Sequence, residues 1–161
     1  MKGVRHVPAT CSPQSDGPPR DVAIGRLAER QHGVVSLAQL QSFGLSGRAV
    51  RDRVAAGRLT RIHRGVYAVG HGRLTMHGRW MAAELAYGPD ALLSHRSGAG
   101  VHGIRPDNRP NTDITVPGQS ARRRPGIDVH RSATLEPADI TTVDGIPAPA
   151  SPAPCSTLPT S

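Results

Sequence analysis

The sequence predicts an α+β protein: a winged helix-turn-helix over residues 21–69, a small incomplete α+β segment over 70–147, and disordered termini at 1–20 and 148–161. Three observations lead there. Three short amphipathic stretches of helical period are followed at once by two apolar stretches flanking Arg64-Gly65. Past residue 70, helical and strand-like stretches alternate, with too little apolar content to close a core of their own. The 18 glycines and 15 prolines exceed the usual share, and both ends are rich in proline and poor in apolar residues.

The elements of the first region follow from local signals. Asp21 is placed to cap a helix with Val22, Ile24, Leu27 and Ala28 on one face and Arg26, Glu29 and Arg30 off it. His32-Gly33 ends that helix, and Val34-Val35 reads as a short buried link. Ser36 caps a second helix over 37–42, with Leu37 and Leu40 inward, and Phe43-Gly44-Leu45 makes the turn. Ser46 caps a third helix over 47–56, with Ala49, Val50 and Val54 inward, and Gly57 stops it. Leu59 and Ile62, then Val66 and Ala68, mark two strands joined at Arg64-Gly65; this hairpin is the wing.

In the second region Thr75 caps a helix through Tyr87, ended by Gly88-Pro89. A short extended piece at 91–93 leads to a brief helix from Ser94 to about His102. Strands are expected at 113–116, 127–131 and 140–143, with a basic loop at 121–126, a polar turn around 136–139 and a turn at Asp144-Gly145.

The net charge is +8, nearly all from arginine, since Lys2 is the only lysine. It is unevenly placed. Residues 21–69 hold eight arginines against Asp21, Glu29 and Asp52, a surplus of five, whereas residues 70–147 hold nine against eight acids. Such a surplus favours a polyanionic partner. Cys11 and Cys155 lie near opposite ends with no CxxC, so neither a zinc site nor a disulfide framework is expected. No apolar run approaches the length of a membrane span, and the N-terminus lacks a signal peptide's apolar core, so a soluble cytoplasmic protein without membrane partners is expected. No P-loop, dinucleotide fingerprint or metal motif is present, so no cofactor is expected. Eight histidines raise an enzymatic reading, with His95 and His102 seven apart beside Ser94 and Ser97. No nucleophile elbow or orienting acid accompanies that pair, so structural roles and no enzymatic activity are expected.

The run "HGVVSLAQLQSFGLSGRAVRDRVAAGRLTRIHRGVYAVG" resembles the N-terminal domain of the AbiEi-type antitoxins of type IV toxin–antitoxin systems. The resemblance continues through "GRWMAAELAYGPDALLSHRSGAGVHGI", "DITVPG", "RRRPGIDVHRS" and "TTVDGIP". It implies a winged helix-turn-helix regulator that binds double-stranded DNA upstream of its own operon. One such domain binds weakly, so specific repression is expected to need a homodimer or paired sites. The resemblance also implies functional pairing with a nucleotidyltransferase-like toxin. Many such proteins continue into an endonuclease-like domain with an acidic metal site, which this sequence does not reach. The chain is therefore read as truncated, and as shifted in reading frame after Pro147, where an apolar helix usually follows. Two other readings stay open: a protein-interaction module, and a non-catalytic fragment of an endonuclease-like protein.

The candidate DNA contacts are Ser46, Gly47, Arg48, Arg51 and Asp52 on the third helix, then Arg58, Arg61, His63 and Arg64 on the approach to and around the wing. Arg48 and Arg51 are three apart and share a helix face, from which an arginine can pair with a guanine edge in the major groove. Gly47 allows the backbone close to a phosphate and the Ser46 hydroxyl can reach one. Wing arginines hold phosphates or enter the minor groove. Arg53 is a further phosphate candidate, Tyr67 is expected in the core, and Arg122-Arg123-Arg124 reads as either a second clamp or a solvated loop.

Overall fold

The computed structural model describes residues 19–117, 122–132 and 140–150. Cys11, Cys155, most of both expected disordered ends and the turn expected at 136–139 lie outside them.

The chain opens with α1 (Arg20–Arg30), β1 (Val34–Ser36), α2 (Leu37–Ser42), α3 (Gly47–Ala55), β2 (Leu59–His63) and β3 (Val66–Val69). The α2 cap is a full capping box: Ser36 Oγ accepts from Gln39 N at 3.2 Å, and Ser36 N donates to Gln39 Oε1 at 2.8 Å. Ser46 caps α3 through Ala49 N. Two expectations for α1 are corrected. Pro19 holds the cap position, preset in the extended backbone, so Asp21 falls inside the first turn. Val22 is 43% exposed, because the helix turns Ile24 and Ala28 to the core instead.

Val34-Val35 is more than a link. It forms β1, antiparallel to β3 with Val34 opposite Ala68 and Ser36 opposite Val66, in a sheet of order β1-β3-β2. Alternation sends successive residues to opposite faces. Val35, Leu59, Tyr67 and Val69 pack with Ile24, Leu40, Leu45 and Val50 of the helix-turn-helix. Val34, Ile62, Val66 and Ala68 pack into a second core on the other face.

That second core is supplied by α4 (Met76–Tyr87), capped by Thr75. Trp80, Met81, Ala82, Ala83 and Ala86 are buried there. Its approach is close: a Cβ at Gly78 would lie 2.8 Å from the His32 carbonyl oxygen. Around the same core stand β4 (Leu92–Leu93), β5 (Thr112–Pro117) and β6 (Ile127–Ser132), in the order β4-β5-β6 with β5 and β6 parallel. Helix α5 (His95–Val101) packs on β5. Ser94 precedes α5, but its side chain does not cap it; its backbone N–H instead donates to the Asp113 carbonyl. The hairpin β7 (Ile140–Val143) and β8 (Ile146–Pro149) closes the core, with β8 against β4. Strand β8 runs two residues into the stretch expected to be tail, and Ala148 is fully buried. The apolar residues of the second region thus complete their core by borrowing one face of the winged sheet.

Candidate nucleic-acid interface

Helix α3 buries one residue, Val50, and partly covers Ala49 and Val54. This leaves Ser46, Gly47, Arg48, Arg51 and Asp52 exposed. A Cβ added at Gly47 would meet nothing within 4 Å, so packing does not demand a glycine there. The Ser46 hydroxyl accepts from Ala49 N at 3.2 Å, which leaves its proton free to donate outward. The helix N-terminus therefore presents a bare backbone, a hydroxyl and two guanidinium groups to solvent, a combination suited to phosphate and base edges. Arg53 behaves differently. It is ion-paired to Asp21 at 2.6 Å, which ties α3 to α1. The hydrogen bond from Arg53 holds the Asp21 carboxyl below the usual carboxylate range.

The wing is the β2–β3 hairpin, with Leu59 opposite Val69, Arg61 opposite Tyr67 and His63 opposite Val66. A register shift between Arg61 and His63 marks a bulge at Ile62. Gly65, at φ +81°, supplies the left-handed residue of the turn. Arg58, Arg61 and Arg64 are exposed. By alternation Arg61 leaves the sheet on the face of Leu59, the side carrying the helix-turn-helix. Tyr67 is partly buried against that same core.

His63 is half-buried, and burial followed by the nearby Arg124 charge lowers its pKa. Arg124 belongs to the second region and reaches back to the wing. Its Nη1 donates to the Arg64 carbonyl at 3.2 Å, and its guanidinium lies 5.2 Å from the Tyr87 ring centroid. The Tyr87 hydroxyl donates to the Arg122 carbonyl at 2.6 Å. Of the three-arginine run, Arg124 is engaged with the wing while Arg122 and Arg123 are exposed.

The histidine pair considered from sequence does not converge. His102 Nε2 lies 2.7 Å from the Pro149 carbonyl oxygen, whereas the His95 ring sits 4.0 Å, centroid to centroid, from that of His130. His130 in turn contacts Asp113 at 3.2 Å. Residues 113 and 130 come together through parallel strand pairing, for which spacing along the chain gives no signal.

Residues 23–70 match the family described as transcriptional regulator, AbiEi antitoxin. The match covers α1 through β3 and spans under a third of the chain. It bears out the resemblance over the helices and wing, and supports a DNA-binding regulator role for this region. No curated protein matches the sequence. Among the described residues no helix is long and apolar enough to cross a membrane.

Proposed function

We propose that this protein represses its own operon by occupying promoter DNA, with α3 in the major groove and the wing on the flanking backbone. The exposed face of α3 carries this reading: Arg48 and Arg51 stand clear of the core beside an unobstructed Gly47 and a capped Ser46. A helix this short gives few base contacts, so specific repression calls for a homodimer or paired half-sites one helical turn apart. Ser46, Gly47, Arg58, Arg61 and Arg64 hold phosphates, Arg48 and Arg51 read bases, and Asp52 limits which base the neighbouring arginines accept. His63, partly buried on the wing, is the remaining candidate contact. The family match also supports pairing with a nucleotidyltransferase-like toxin, whose growth arrest co-expression of this chain would relieve.

The test is a gel-shift titration with DNA from upstream of the gene, at moderate salt. Arg51→Ala and Arg64→Ala each weaken the shift, and log affinity falls steeply with log salt. Equal shifts by the parent and both variants would overturn the assignment. Retention of an acidic protein with indifference to DNA would point instead to an interaction module.

A further inference from the structure

A second cationic site lies away from α3. It is a cavity of about 440 Å³ lined by His95, Arg123, Val129, His130 and Arg131. Four of these five side chains are cationic or can become so, and no carboxylate is among them.

A buried network stands behind the wall. The Asp113 side chain is 5% exposed; its Oδ1 faces His130 Nε2 at 3.2 Å and its Oδ2 takes the Arg109 guanidinium. Arg109 Nε also lies 3.5 Å from Asp107 Oδ1. Ser97 Oγ donates to Asp107 Oδ2 at 2.6 Å and accepts from Asp113 N at 2.9 Å. Asp107 and Asp113 thus share one arginine, and Asp113 turns its other oxygen to His130, which orients that ring. Asp128, on the same strand as His130, is occupied by Asn111 at 3.1 Å.

His95 has no such partner. It lies against His130 with a left-handed backbone, φ +48°, and burial, His130 and Arg109 all oppose a proton on it, with only Asp113 in favour. Arg123 and Arg131 are exposed and paired to no acid among the described residues. The cavity therefore gathers two guanidinium groups and two imidazoles, with no carboxylate among its lining residues. A ligand with one negative charge matches only one of the two guanidinium groups. A dianion matches both and favours a proton on His95, which burial first of all opposes.

We infer that this cavity binds a phosphomonoester, with Arg123 and Arg131 on the phosphoryl oxygens and His130, held by Asp113, donating beside them. The ester belongs either to a small phosphorylated molecule or to the 5′-phosphate end of a nucleic acid.

The probe is inorganic phosphate, titrated into the full chain while the histidine ring C–H signals are followed by NMR at constant ionic strength with chloride as the control. His95→Gln and His130→Gln identify the two signals. Both are expected to shift saturably, and the His95 titration midpoint to rise by about one pH unit or more. Arg131→Ala, at an exposed site that leaves the fold's circular dichroism unchanged, is expected to weaken binding about tenfold. Adenosine monophosphate and short duplexes with and without a 5′-phosphate then separate the sources. Saturation by the nucleotide alone assigns a small molecule, and saturation by the phosphorylated duplex but not its bare counterpart assigns a nucleic-acid end. Shifts no larger than those from chloride, or equal shifts from the unphosphorylated duplex, overturn the inference. Promoter binding through α3 and the wing leaves these signals in place, so this test and the gel shift fail independently.

Discussion

Helices α3 and α4 serve opposite faces of one three-stranded sheet, and they spend their surfaces in opposite ways. Helix α3 has nine residues and buries one; α4 has twelve and buries seven, including Trp80 and Glu84. The first needs only enough contact to be held in place, which Val50, the Ser46 cap and the Arg53–Asp21 pair provide. The second brings Trp80, Met81, Ala82, Ala83 and Ala86 into the core of a chain that has only four aromatic residues. On the proposed function, recognition and stability are thus divided between the two helices. Substitutions on α3 should change binding and leave folding alone, and substitutions on α4 should do the reverse.

The largest effect is expected on α4. Trp80→Ala empties the centre of the shared core and should cost about 3–5 kcal/mol, read as a collapse of the urea midpoint. A normal midpoint would show that the core does not bridge the sheet and the second region. Next comes pH. Burial raises the Glu84 pKa from 4.5 to about 9, partly countered by a hydrogen bond from the Leu93 backbone. The folded state then holds a proton that the unfolded state releases, so stability is highest below the unfolded value and is lost as pH rises toward the folded one. The melting temperature should fall between pH 5 and 9, by about 5 °C or more, and Glu84→Gln should flatten that slope. Arg51→Ala should leave the melting temperature in place and weaken promoter binding by about 1–3 kcal/mol, relaxing selectivity at one base position. The smallest and sharpest test is Gly47→Ala. The new Cβ enters open space, so α3 should gain about 0.5–1 kcal/mol while DNA affinity drops. Unchanged affinity in a more stable protein would remove the helix N-terminus from the interface.

The sequence made α3 legible and left α4's role obscure, for a physical reason. Caps, turns and helix faces are written within four or five residues, so Ser36, Ser46 and Thr75 could be read directly as helix starts. Strand β1 has only three residues, and it is a strand because Val66 and Ala68, some thirty residues away, complete its hydrogen bonds. The buried state of Glu84 and the His95–His130–Asp113 contact likewise depend on elements far apart in the chain. Asp21 was misleading because a good capping residue lay two positions beyond Pro19, which starts the helix without a side-chain bond. Among the candidate contacts, the exposure of Arg48, Arg51, Arg61 and Arg64 follows from helix period and strand alternation. The Arg124 charge near His63 does not, since the two lie in different regions of the sequence.

Residues 23–70 carry the family match, but the sheet inside that stretch has a second face that α4 covers with Trp80 and Met81. A fragment cut after Val69 would expose Val34, Ile62, Val66 and Ala68 to water. Such a piece would be sticky and short-lived, however well its helices were capped. The smallest part that can be moved into another protein, by cloning or by recombination, is therefore larger than the part proposed to touch DNA. Any graft of this reading head has to carry α4 along with it.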